Sequence, residues 1–134
     1  MKNKPTKNFF RKDLKQMSNY KLEVDRMKME IECKEEDLRK TEEYLKNNPS
    51  DRFYFHMVEK KKASLRLEKL SLEIFILKNK EVTIENQKAI VELTAKQAGQ
   101  NYFYKDDLKK EEEILRKLEE SQKAIYKNNQ RLFF

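Results

Sequence analysis

A seven-residue repeat is the strongest constraint on this chain. Ala63, Leu70, Leu77, Ile84, Val91 and Ala98 recur at that spacing, with Leu67 and Ile74 beside them. Such spacing lines side chains along one seam of an α-helix, the arrangement of helices that pack along their length. It predicts a single helix over residues 49–98, roughly 75 Å long at about 1.5 Å per residue. Leu65, Leu72, Phe75 and Ile76 point away from that seam, so this helix needs apolar partners on two sides.

The rest of the chain supplies them. After a flexible basic tail (residues 1–8), helix 1 is expected over residues 9–46, where Phe10, Met17, Val24, Ile31, Leu38 and Leu45 hold successive heptad positions. The turn Asn47-Asn48-Pro49-Ser50-Asp51 follows, with Asn48 as the expected cap, Pro49 at the first helical position and Asp51 as a capping-box-like acid. So short a connection returns helix 2 antiparallel to helix 1. Gly99, the only glycine, is expected to end helix 2 because a helix terminus favours a residue that tolerates positive φ. Asn101 is a candidate cap for helix 3, over residues 102–128, in which Tyr104, Leu108, Leu115, Leu118, Ile125 and Leu132 follow 3–4 spacing with Glu111, Gln122 and Asn129 as polar interruptions. The expected fold is all-α: an elongated antiparallel, coiled-coil-like hairpin plus a third helix, together an up-down-up three-helix bundle forming one domain over residues 9–134.

Composition fits that class. Charged residues make up 41% of the 134 residues and apolar ones 37%, a mixture typical of long helices, and the sustained periodicity argues against disorder. Cys33 is the only cysteine, so neither an internal disulfide nor a Cys-rich zinc site can form. His56 has no second histidine to complete a ligand set. No phosphate-binding glycine loop, dinucleotide fingerprint or His-Glu-x-x-His motif occurs. The expectation is a protein with no catalytic residues, no cofactor and no metal. No apolar run is long enough to span a membrane, and the amino-terminal residues lack the apolar core of a secretory signal. The expected location is the cytoplasm or a particle assembled inside a cell.

Two sets of residues could meet partners. Phenylalanines and tyrosines cluster at the expected helix ends and turns, and consecutive aromatics cannot all face one seam. Phe53, Tyr54, Phe133 and Phe134, with Phe75 and Ile76 from the extra faces of helix 2, are therefore candidate protein-contact residues. The chain also carries a net charge of +7. Lys2, Lys4, Lys7, Arg11, Lys12 and Lys15 crowd the amino terminus, and Lys60, Lys61 and Lys62 form a second basic stretch. These nine could contact phosphates, the alternative reading of a small nucleic-acid-associated protein with a basic arm. The leading expectation is a structural or assembly protein that docks onto other chains or onto itself as a homo-oligomer, such as a component of a phage particle or an assembly factor.

Overall fold

A computed structural model of the chain describes the backbone of residues 4–133 and the side chains of residues 19–127. The fold is all-α, with α1 (Lys4–Asn47), α2 (Arg52–Lys78), α3 (Ile84–Gln100), a 3-10 turn (Tyr102–Tyr104) and α4 (Lys105–Phe133). No strand occurs among the described residues. Helix α1 starts ahead of the expected boundary near Phe9, and its backbone is helical through most of the expected tail. Pro5 is compatible with that start, because a first-turn residue has no intrahelical partner for its N–H. The chain divides into two compact units, Met1–Leu65 and Arg66–Phe134, with α2 contributing to both.

In the first unit α1 and the opening of α2 pair in antiparallel order. Tyr44 stacks on Tyr54 with ring centroids 4.0 Å apart. Lys61 Nζ lies 2.8 Å from Asp37 Oδ2, and Lys34 Nζ donates to Ser64 Oγ at 3.1 Å. Val24, Ile31, Val58 and Leu65 are the buried apolar side chains here. The turn between these helices forms where expected, but its capping is shifted. Asp51, not Asn48, caps α2, its Oδ1 accepting from Tyr54 N at 3.2 Å while its carbonyl accepts from Phe55 N at 3.0 Å. Asn48 instead closes α1, donating from Nδ2 to the Tyr44 carbonyl at 3.1 Å. A carboxylate placed here also suits the positive end of the helix dipole.

The second unit departs further from the expected single long helix. Residues 79–83 break it, and α3 folds back against α2. Asn79 turns its side-chain amide onto the Phe75 carbonyl at 2.9 Å, and the backbone N–H groups of Asn79 and Lys80 tighten into three-residue bonds to Ile76 and Leu77. Thr83 then opens α3 as its N-cap, accepting from Asn86 N at 3.0 Å. The seven-residue beat from Leu77 to Ile84 therefore spans a reversal. Seam spacing reports which face is apolar and not whether the backbone between two seam residues stays helical.

Amides and hydroxyls hold α3 in register. Its buried line is Gln87, Ile90, Thr94 and Gln97, whereas the expected stripe of Ile84, Val91 and Ala98 is only half-buried. Gln97 Nε2 donates to Ser71 Oγ at 2.9 Å, which fixes α3 against α2. Thr94 satisfies its hydroxyl locally on the Ile90 carbonyl at 2.7 Å. A one-residue slip of α3 would break the Gln97–Ser71 bond and leave a buried amide unpaired, so Gln97 specifies alignment as well as tolerating burial.

Gly99 does not terminate the helix. It lies inside the last turn of α3 with a negative φ, and Asn101 is the residue that ends it, its N–H bonded to the Gln97 carbonyl. Asn101 also opens the following 3-10 turn, accepting from Phe103 N at 3.0 Å as the sequence suggested for a cap. A Cβ at position 99 would meet nothing within 4 Å. Gly99→Ala should therefore stabilise the protein by about 0.5–1 kcal/mol through lower unfolded-state entropy, read as a higher urea midpoint with an unchanged slope.

Candidate protein-contact site

Helix α4 sorts its residues more cleanly than any other element. Leu108, Glu111, Ile114, Leu115, Leu118, Gln122, Ile125 and Tyr126 share one side, at the spacing of a helical stripe. The opposite side carries Lys110, Glu113, Arg116, Lys117, Glu120, Lys123 and Lys127. Arg116 pairs there with both Glu113 and Glu120, and its guanidinium holds the Glu113 carboxyl below the usual carboxylate range. The same Glu–Arg–Glu spacing recurs twice on α1, around Arg26 and Arg39. In each case these side chains are exposed and mark the solvent face.

The apolar side begins well covered. Glu111 is 8% exposed, a buried carboxylate within an apolar stripe. Its Oε2 accepts from Gln87 Nε2 at 2.8 Å, its own carbonyl accepts from the same nitrogen at 2.9 Å, and Oε1 lies 2.9 Å from Lys78 Nζ. Lys78 is the last residue of α2 and Gln87 belongs to the first turns of α3. At Glu111, therefore, α4 has drawn level with the reversal that joins its two neighbours.

Beyond Glu111 the helix outruns them. It continues to Phe133, an overhang of about 33 Å at the helical rise of about 1.5 Å per residue. The stripe continues on the overhang, but its cover fades. Leu115 and Leu118 are half-buried, residues 120–127 are all exposed, and Ile125 and Tyr126 stand 62% and 64% exposed. Where the covered and uncovered parts meet there is a cleft of about 350 Å³, whose apolar wall comes from Leu77, Val82, Ile90 and Ile114. The exposed stripe of α4 thus lies on the side opposite its Glu113–Arg116–Glu120 ion pairs.

The residues singled out in the sequence fall in several places. Phe53 is 68% exposed at the start of α2, edge-on to Tyr54, while Tyr54 is half-buried against Tyr44. Phe75 and Ile76 are half-buried in the second unit. The Phe133 and Phe134 side chains lie outside the described residues, as do those of Lys2, Lys4, Lys7, Arg11, Lys12 and Lys15. The lysine stretch is divided. Lys60 faces solvent, Lys61 is engaged by Asp37 and by Thr41 Oγ1 at 2.8 Å, and Lys62 lies 3.8 Å from Glu59. Tyr102 and Phe103, at 79% and 84% exposed, are the most exposed large hydrophobic residues among those described.

His56 and Cys33 are both exposed. Among the described residues no three His, Cys, Asp or Glu side chains are placed to share a metal ion, and no helix is long and apolar enough to cross a membrane. Compared with known proteins, the chain matches no family model, no curated protein and no solved structure.

Proposed function

We propose that this is a non-enzymatic structural or assembly protein that docks onto other chains through a helical seam, with the overhanging stripe of α4 as its principal contact. The observation that carries this reading is the continuity of the stripe from the covered Leu108 and Glu111 to the exposed Ile125 and Tyr126. An apolar face this regular loses the benefit of burial while it stands in water, about 25 cal/mol per Å² of apolar area. A component of a larger particle or an assembly factor is the setting that suits it, and the aromatic corner at Phe53 would add a secondary contact. Of the arrangement expected from the sequence, the antiparallel hairpin of helix 1 with the opening of helix 2 remains part of this proposal, while the reversal at residues 79–83 replaces the single middle helix by α2 and α3.

Site-specific photocrosslinking in living cells tests it. A photoreactive residue at Ile125, on the stripe, should give discrete protein adducts, whereas the same residue at Ala124, on the outer face, should give few. Equal yields from both positions would remove α4 as the docking surface.

A further inference from the structure

We infer that the partner seated on the α4 stripe is a basic amphipathic helix, whose lysines or arginines meet Glu112 and Glu119 along one edge of the seam. This names the partner for the docking reading above and depends on it.

The stripe has two unlike edges. At about 3.6 residues per turn, Leu115 and Gln122 mark its middle, Leu118 and Ile125 fall to one side, and Glu112 and Glu119 fall to the other. One edge is therefore apolar and the other acidic. The spacing of Glu112 and Glu119 is that of a heptad, so both keep the same place beside the seam, about two turns apart. Where helices pair, such flanking positions face the flanks of the partner and select it by charge.

These two carboxylates stand apart from the other glutamates of α4. Glu113 and Glu120 are both held by Arg116, and Glu111 is held by Lys78 and Gln87. Among the described residues no cation pairs with Glu112 or Glu119. Glu112 is exposed, and Glu119 is half-buried just ahead of a stretch, residues 120–127, that is exposed throughout. Lys123 follows Glu119 by one turn but sits farther round, toward the outer face. A partner's apolar face laid on the stripe would exclude water beside both carboxylates. Left unpaired there, they would lose hydration without compensation; matched by cations, they gain an attraction that water no longer screens fully. The chemistry that completes the stripe is therefore an apolar seam flanked by lysine or arginine.

Other occupants supply less. An acidic helix would set like charges against Glu112 and Glu119. A second α4 repeats the acidic edge on one side and is apolar on the other, with Lys123 as its nearest cation. The described seam from Leu115 to Tyr126 is about 17 Å long at about 1.5 Å per residue, so a helix of about three turns covers it. At its base such a helix meets the cleft of about 350 Å³, where Ile114 and Val82 stand 42% and 73% exposed.

Fluorescence anisotropy on the full chain, with two labelled probe peptides, tests the inference. The probes share one leucine seam of about three heptads and differ only in carrying lysine or glutamate at the flanking positions. The lysine probe should bind at least about tenfold more tightly, equivalent to about 1.4 kcal/mol, even though the net charge of +7 on the chain opposes it at long range. Glu112→Gln with Glu119→Gln should erase the preference, and Glu112→Lys with Glu119→Lys should reverse it. Glutamine and lysine are both good helix formers, so α4 is retained in each variant. Equal affinities for the two probes, or a preference that survives the lysine pair, would overturn the inference. Binding of neither probe would overturn it as well, and sedimentation as a dimer would then assign the stripe to a second copy. In each of these cases stripe-specific adducts at position 125 would leave the docking reading standing, whereas equal crosslinking from positions 125 and 124 would remove both.

Discussion

Replacing Gln87 by leucine should destabilise the protein by about 2–3 kcal/mol at neutral pH, the range for a lost hydrogen bond to a buried charged group. The substitution keeps side-chain volume but removes the nitrogen that serves both the Glu111 carboxylate and the Glu111 carbonyl. Lys78 remains, but its side chain is 51% exposed and its attraction is partly screened. Burial alone pushes the Glu111 carboxyl pKa up. The Gln87 and Lys78 hydrogen bonds and the Lys78 charge outweigh that effect and hold it below the usual carboxylate range.

A carboxyl depressed in the folded state adds stability above its unfolded value, near pH 4.3, and loses it as pH falls through the lower folded value. Gln87→Leu lessens the depression, so the stability gap between parent and variant should narrow as pH falls below about 4.3. Urea unfolding at pH 7 and pH 3 reads this directly. An equal gap at both values would mean that Gln87 acts through packing and not through the carboxylate. Adding Glu111→Leu to the variant should restore much of the loss at pH 7, because it removes the stranded charge.

The second large effect is expected at Ile90. This side chain is 4% exposed, lies on the buried line of α3 and forms part of the cleft wall. Ile90→Ala should cost about 2–4 kcal/mol, within the range for large-to-small changes in a packed core. That is a sizeable part of the roughly 5–15 kcal/mol by which domains are stable. Ile90→Val should cost only about 1 kcal/mol. Thermal unfolding of the pair separates loss of packed volume from a general intolerance of substitution. If both variants melted with the parent, α3 would not be part of the cooperative core.

Periodicity made much of the local structure legible. The heptads of α1, the sharp turn before Asp51 and the cap at Asn101 all follow from residue type and spacing, because each depends on chemistry within a few residues. The reversal at residues 79–83 did not announce itself. It contains neither glycine nor proline, and its signals, Asn79 bonding back and Thr83 capping forward, are common side chains whose effect depends on which competing bond wins. The break in turn hid the role of α3, since Gln87 and Gln97 are buried only because carbonyl, hydroxyl and carboxylate partners await them on neighbouring helices. The α4 stripe was visible as spacing. Its exposure was not, because that depends on where α3 begins.

The reversal at residues 79–83 also bears on how residues 66–133 acquire their structure. Had α2 and α3 formed one rod, closing this part of the chain would have required encounters between distant segments. With the turn in place, each helix meets the one before it, and Gln97 with Ser71 and Gln87 with Glu111 are separated by only 26 and 24 residues. Local topology of this kind favours collapse in microseconds to milliseconds and little dependence on the rest of the polypeptide. Such a unit can assemble as it leaves the ribosome, each new helix finding its neighbour already in place.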